Sequence, residues 1–190
     1  MPMNSLHDLY LEELKDLHNA EKQLVKALPR MGKKARAPSL KAAFQEHLEV
    51  TERQIERLDR IFADLGVPPR GKKCKAMEGL IEESKDVIEE KGDSAVIDAA
   101  LIACAQRVEH YEMAGYGCVR TYAQLLGHEE HRALLQATLD EEGEADKKLT
   151  ELAVTVINVK AEAADDGEAT LPTNGRSKSA AGKKRAASRK

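Results

Sequence analysis

The chain has 190 residues, of which 42% are hydrophobic and only 3% are aromatic, and its net charge at pH 7 is −3. This length suits one domain with a sizeable core, and the scarcity of aromatic residues disfavours a large β-sheet. Three cysteines without a C-x-x-C pair indicate neither a disulfide framework nor a thiolate zinc site. The N-terminus lacks a signal-peptide pattern, and no segment has the roughly 20 apolar residues of a membrane span. We therefore expect an all-α, cytoplasmic protein.

The first half of the chain predicts two long helices and a short one. Apolar residues at steps of three and four predict a first helix from about Ser5 to Met31. Pro38 suits the first turn of a second helix, which ends near Gly66. After a loop, an amphipathic stretch predicts a short helix over residues 74–91.

Two more long helices are predicted in the second half. Asp93 is a good N-cap for a helix that runs to Leu126, and Gly127 suits the position after its end. The last helix is predicted from about His128 to near Val159. Short links make antiparallel neighbours of the first and second long helices, and of the third and fourth, whereas the long middle connection can return along the bundle. We therefore predict an all-α, ferritin-like four-helix bundle with one long crossover that contains a short fifth helix.

Positive charge is concentrated at the C-terminal end. Residues 173–190 contain seven Lys or Arg and no acid, which leaves −10 for the rest of the chain, given the total of −3. This stretch has no hydrophobic periodicity, so we expect it to be disordered. The predicted organisation is a bundle over residues 1–160 and a disordered tail over residues 161–190. Such a tail suits sequence-independent contact with DNA, or it serves only to increase solubility.

Acidic residues interrupt the apolar stripes of three long helices. The first, third and fourth long helices contribute four such acids, Glu21, Glu109, Glu112 and Glu142. His47 and Glu52 border the stripe of the second long helix. All four helix midpoints fall close to one of these acids, so the bundle is expected to bring the acids to one layer.

A buried layer of carboxylates requires compensation. Such groups cost several kcal/mol each unless they are protonated, paired with cations or bound to metal. No Lys or Arg occupies the apolar stripes at this height. Carboxylates with an imidazole on facing helices suit a pair of iron or manganese ions. We therefore predict a metal site. In the alternative, each acid faces water at a stripe border, and His47 is a hydrogen-bonded core residue.

Five segments carry a resemblance to a known family. In chain order they are "DLYLEELKDLHNAEKQLVKALPRM", "EHLEVTERQIERL", "CKAMEGLIEE", "DAALIACAQRVEHYEMAGYG" and "TLDEEGEADKKL". Over about residues 5–155 the chain resembles the bacterial YciE/YciF family of ferritin-like proteins. The resemblance implies a ferritin-like fold, a stress-associated cytoplasmic role and a di-metal, ferroxidase-type activity.

The chain departs from the usual di-iron pattern in its ligand pairs. Ferritin-like di-iron proteins generally carry two Glu-x-x-His pairs, and this chain has neither at the expected positions. An acid-rich variant is implied, in which Glu109 with Glu112 and Glu142 with Asp146 replace those pairs. The predicted metal ligands are Glu21, His47, Glu109, Glu112, Glu142 and Asp146.

Other polar residues near the layer are not expected to bind metal. His18 and His110 are expected beside the ligands or at the surface. Tyr116 is expected to pack in the core, where its hydroxyl can reach a ligand carboxylate.

The predicted site suits oxidation chemistry. Two iron ions, or manganese in their place, are the expected cofactors, with dioxygen or peroxide as the oxidant. The expected activity is oxidation of ferrous iron or consumption of peroxide. In the alternative, the protein is a non-enzymatic stress protein that is stabilised by metal, or that contacts DNA or a partner through its tail. A homodimer is also expected.

Overall fold

A computed structural model describes residues 3–168, all of whose regular structure is helical. None of the helices in this range is long and apolar enough to cross a membrane. The helices are α1 (Leu6–Lys34), α2 (Pro38–Asp64), α3 (Lys75–Glu89), α4 (Ser94–Leu125), α5 (Glu129–Leu152) and α6 (Asn158–Glu168), with a π-helical turn (Ala153–Ile157) between α5 and α6. The predicted all-α class is confirmed.

Capping residues that can be recognised in the sequence mark several helix ends. The Ser5 hydroxyl accepts a hydrogen bond from the Asp8 amide at 3.1 Å, and the Asp93 carboxylate accepts one from the Ala95 amide at 2.7 Å. These side chains satisfy amides that have no partner within the first turn of a helix. Gly127 adopts the left-handed conformation, with φ of 77°, immediately after α4.

Contacts between the helices define the topology. α1 is antiparallel to α2, which follows it after the short link 35–37, and to α4, because contacts farther along the chain of α1 and this link involve residues nearer the start of α4. The contacts are His18 with Asp59, Asp16 with Tyr111, and the Arg36 amide with Asp98. α2 and α4 are therefore parallel, and α3 lies within the connection between them. The predicted bundle with one crossover is confirmed.

The core consists of two apolar clusters, one toward each end of the bundle. One cluster contains Leu28, Met31 and Ile102, and the other contains Tyr10, Phe62 and Leu135. Each cluster draws residues from α1, α2, α4 and the last helices, following the apolar stripes. Between them lies a buried layer that contains ionisable side chains.

The last long helix differs from its prediction in one turn. The predicted helix from about His128 to near Val159 is helical throughout in the structure, which begins α5 at Glu129 and continues to Glu168, but a π-helical turn interrupts the α-helical pattern at residues 153–157. The turn contains four consecutive β-branched residues, whose side chains crowd the preceding turn of an α-helix. In addition, the Thr155 hydroxyl donates to the Glu151 carbonyl at 2.6 Å, a bond that competes with regular helix bonds.

α6 continues through the predicted domain boundary at residue 160 and reaches Glu168. The division at residue 160 stays a prediction. The basic stretch 173–190, for which disorder was predicted, lies outside the described residues.

Candidate metal centre

All four bundle helices bring a buried polar side chain to the layer between the apolar clusters. α1 supplies one glutamate, α2 supplies a histidine, α4 supplies two glutamates and α5 supplies one: Glu21, His47, Glu109, Glu112 and Glu142. Glu109 and Glu112 are three residues apart on α4, so they share one face of the helix. None of these five residues is more than 9% exposed.

Four of these side chains can reach one ion. Single ligand atoms of His47, Glu109, Glu112 and Glu142 all lie within 4.8 Å of one another. His47 Nε2 is 3.4 Å from Glu109 Oε1 and 4.0 Å from Glu142 Oε2. The described residues contain no other such group of three or more potential ligands. Three helices therefore converge their donor atoms on a small volume.

Most of the oxygen atoms in this layer have no hydrogen-bond partner within the described part of the chain. Both carboxylate oxygens of Glu112 and of Glu142 are unpaired, as are one oxygen each of Glu21 and Glu109. His47 Nε2 is also unpaired. A buried polar group without a partner costs about 1–3 kcal/mol, and a charged one costs more. Unpaired atoms on converging helices are the arrangement expected of a site that binds a cation.

Burial strongly favours the protonated form of the glutamates. Desolvation, followed by repulsion from Glu142, raises the pKa of Glu21 and of Glu109 well above the usual range. The pKa of Glu112 is raised by desolvation and then by the charges of its neighbours. Desolvation also raises the pKa of Glu142 to about 7. A metal ion must therefore displace protons to bind, as is common for carboxylate sites.

The pKa of His47 is shifted in the opposite direction, and burial is again the cause. Burial disfavours the imidazolium and lowers the pKa of His47 to about 4, so the ring is neutral at neutral pH. Neutral imidazole is the form that binds metals. Carboxylate oxygens combined with one neutral imidazole suit iron or manganese, so the residues present fit the ions that the fold implies.

Glu21 lies beside the four converging residues, and Tyr116 holds it. The Tyr116 hydroxyl donates to Glu21 Oε1, and both side chains are completely buried. The hydroxyl thus satisfies one oxygen of Glu21 and leaves Oε2 free. This is the bond from a core tyrosine to a candidate ligand that the sequence suggested.

Asp146, the sixth predicted ligand, lies apart from the four converging residues. It accepts a hydrogen bond from the Gln106 side chain at 3.0 Å and lies 3.4 Å from His110 Nε2. His110 itself is largely exposed. The structure therefore brings His47, Glu109, Glu112 and Glu142 together, places Glu21 next to them, and leaves Asp146 at the edge.

Glu52 and His18, which were expected near the layer, do not contribute to it. Glu52 is exposed to solvent, because the buried face of α2 is rotated relative to the predicted stripe. His18 is buried but bonded to Asp59 at 2.9 Å and packed edge-on against Phe62.

Sequence reasoning missed two residues of α2 next to the site. Gln54 is completely buried, its amide nitrogen lies 3.3 Å from Glu141 Oε2, and its own oxygen is unpaired. Arg57 makes two hydrogen bonds to Glu141, at 2.6 and 2.7 Å. The spacing of seven residues between His47 and Gln54 is the signal that both lie on one face. Arg57 thus neutralises the residue that precedes Glu142, and it leaves Glu142 unpaired.

Comparisons with known proteins agree with this architecture. The family model described as a domain of unknown function (DUF892) matches residues 5–162. Protein YciF of Escherichia coli (strain K12) is 45% identical over 163 residues, which cover 85% of this chain and 98% of YciF.

Solved structures show the same relationship. The crystal structure of the E. coli stress protein YciF has a TM-score of 0.79 at 44% identity, covering 82% of this chain and 99% of that one. YcfI from Rhodopseudomonas palustris has a TM-score of 0.76 at 43% identity, covering 79% and 96%. A protein from Xanthomonas campestris pv. campestris shares the fold, with a TM-score of 0.67 at 18% identity over 85% of this chain and 99% of that one. The chain therefore belongs to the DUF892 family, the family of YciF.

Proposed function

We propose that the buried layer binds two divalent iron or manganese ions and uses them to oxidise ferrous iron or to consume peroxide. The observation that carries this proposal is the set of buried donor atoms without partners on Glu21, His47, Glu109, Glu112 and Glu142. In the absence of a cation these atoms only destabilise the fold, so their convergence has a physical explanation if they bind one.

Charge balance favours two ions over one. The four glutamates carry −4 when ionised, and His47 is neutral. Two divalent cations neutralise this charge, whereas a single one leaves −2 in a region of low dielectric constant. Glu21 supplies the additional carboxylate that a second ion needs, because it lies beside the four residues that converge on the first.

Each residue has a distinct task in this proposal. Glu109, Glu112 and Glu142 bind the ions, and Glu112 and Glu142 can change between one-oxygen and two-oxygen binding because both of their oxygens are free. The Tyr116 hydroxyl fixes the orientation of Glu21. The apolar clusters on both sides exclude water from the layer. When bound, ferrous ions would supply the electrons that reduce dioxygen or peroxide.

The rate of ferrous oxidation tests the proposed activity. Purified protein is mixed with ferrous iron under air, or anaerobically with peroxide, and ferric iron is measured by absorbance. The Glu112→Gln variant keeps the side-chain shape and removes one charge, so we expect oxidation to fall to the rate without protein. Glu52→Gln is the matched control, because it removes a glutamate of α2 that faces solvent. Equal rates in both variants would contradict an oxidase site in this layer.

A non-enzymatic role is the second candidate. It is favoured by the closure of the layer, since most of its ligand atoms have no contact with solvent. In that case metal raises the thermal stability of the bundle without turnover, and the protein acts as a metal-stabilised stress protein. The combination of metal-dependent melting and an oxidation rate equal to that without protein would select this function.

The basic stretch 173–190 supports a separate proposal about partners. Its seven cations can neutralise several phosphates, whereas the remainder of the chain, at −10, repels DNA. We expect any binding to DNA to be independent of sequence and to weaken steeply with salt. The predicted homodimer and the cytoplasmic location stay predictions.

A further inference from the structure

A groove leads from solvent to the edge of the buried layer. It lies between α2 and α5, has a volume of about 510 Å³ and is lined at its inner end by His47 and Glu109. These two residues are buried and carry unpaired atoms, His47 Nε2 and Glu109 Oε2. We name this feature the access groove.

The walls and the rim of the access groove differ in chemistry. Its walls are apolar and include Ala43, Phe44, Ala145 and Leu149. Its rim carries five acids, Glu46, Asp140, Glu141, Glu144 and Glu151, against two lysines, Lys147 and Lys148. The rim therefore has a net charge of −3 when all these groups are ionised.

Ion pairs neutralise three of the five rim acids. Lys148 pairs with Glu46 and so joins α5 to α2 across the rim. Lys147 pairs with Glu144 at 2.7 Å, and Arg57 pairs with Glu141.

Two rim acids have no cationic partner within 4 Å among the described residues. These are Asp140, which accepts a hydrogen bond from the Gln136 side chain, and Glu151. Both are exposed. Their negative charge is thus available to attract a cation from solution.

We propose that the access groove is the route by which divalent cations enter the buried layer, and that the acids of its rim attract them. This inference rests on the proposed metal site and adds its path of access. A rim of net negative charge above walls of low dielectric constant focuses the electric field and increases the local concentration of cations. The inner end of the groove then offers His47 and Glu109 as the first ligands that an incoming ion meets.

The kinetics of Mn²⁺ uptake test this route. The free-ion EPR signal of Mn²⁺ is followed after rapid mixing with the metal-free, full-length protein at low ionic strength. Asp140→Lys combined with Glu151→Lys reverses the two unpaired charges and breaks no ion pair. We expect this variant to take up Mn²⁺ about tenfold more slowly and to reach the same final content. The difference should disappear in high salt, because salt screens exposed charges.

Three further variants complete the test. Glu82→Lys with Asp86→Lys reverses two exposed acids of α3, which packs on α1 and α4 away from the access groove, and should leave the rate unchanged. Lys148→Gln removes a positive charge and the ion pair across the rim, and should increase the rate. Ala145→Phe narrows the groove and should slow uptake at every salt concentration.

The outcomes separate this inference from the proposed function. Normal uptake in the wild type, with no effect of the Asp140 and Glu151 reversals or of Ala145→Phe, overturns the route and leaves the metal site intact. Equal slowing by the α3 control at low salt also overturns it, because the effect would then depend on net charge alone. A wild-type protein that takes up neither Mn²⁺ nor, without oxygen, ferrous iron overturns both proposals.

Discussion

Replacing Glu142 by methionine should stabilise the metal-free protein, and the gain should depend on pH. Glu142 is completely buried, neither of its oxygens has a partner, and its pKa is raised from 4.5 to about 7. One pKa unit corresponds to about 1.4 kcal/mol, so at about pH 8 the ionised carboxylate costs the folded state roughly 3 kcal/mol. Methionine has a similar volume and no charge.

The sign of the pH dependence follows from the raised pKa. Below the unfolded-state pKa both states are protonated and the penalty is absent, and it grows as pH rises from about 4.5 to about 7. We therefore expect Glu142→Met to raise the free energy of unfolding by about 3 kcal/mol at about pH 8 from this source, and by less than about 1 kcal/mol at about pH 5. Burial of the methionine side chain contributes similarly at both pH values. The difference between the two gains in stability therefore measures the cost of ionising Glu142.

The assay is urea unfolding in the presence of a chelator at the two pH values. An increase of about 3 kcal/mol corresponds to a melting temperature about 6–12 °C higher for a chain of this size. Glu52→Met is the control, because Glu52 faces solvent and its replacement should change stability by less than about 0.5 kcal/mol. A Glu142→Met variant with the same gain at both pH values, or with lower stability at about pH 8, would refute the reasoning.

Three further predictions concern neighbouring features. Tyr116→Phe removes the donor to Glu21, so unfolding of the metal-free protein should require about 1–3 kcal/mol less free energy; an unchanged urea midpoint would show that the bond contributes nothing. Asp98→Ala should cost a similar amount, because Asp98 accepts hydrogen bonds at 2.7 and 2.8 Å from the backbone between α1 and α2. Its metal content should be unchanged, and loss of metal would show that the layer depends on this distant contact. Deletion of residues 173–190 should abolish a low-salt DNA mobility shift and preserve metal uptake; a shift that survives deletion would assign DNA binding to the bundle.

The acids of three helices were predictable because they interrupt a regular apolar stripe. Glu21, Glu109 and Glu142 each have apolar neighbours at steps of three and four, so their burial follows from periodicity alone. Helix ends were also predictable from the sequence. Asp93 caps α4 by a side-chain hydrogen bond and Gly127 adopts a left-handed conformation after it, and both features depend only on local sequence.

The buried face of α2 was harder to predict from the sequence. The sequence placed His47 and Glu52 at the two borders of the apolar stripe, whereas the structure buries His47 together with Gln54 and exposes Glu52. On hydrophobicity alone, a histidine and a glutamine are expected at the border of an apolar stripe and not inside it. Their burial depends on the carboxylates that α4 and α5 bring to the layer, which local sequence does not reveal.

Long-range polar contacts were also beyond sequence reasoning. Tyr111 donates to Asp16, and the Cys74 sulfur lies 2.9 Å from the same hydroxyl. These three residues come from α4, α1 and the connection before α3. Nothing in the spacing of residues that lie so far apart in the chain indicates that they meet.

Metal content after anaerobic loading shows whether the buried layer binds iron. The full-length protein is incubated with excess ferrous iron without oxygen, freed of unbound metal and analysed by atomic emission. We expect close to two iron ions per chain in the wild type and in Glu52→Gln, and a clear loss in Glu112→Gln, which should remain folded by circular dichroism. Wild-type protein that holds no more iron than Glu112→Gln would contradict the claim that this buried layer is a metal centre.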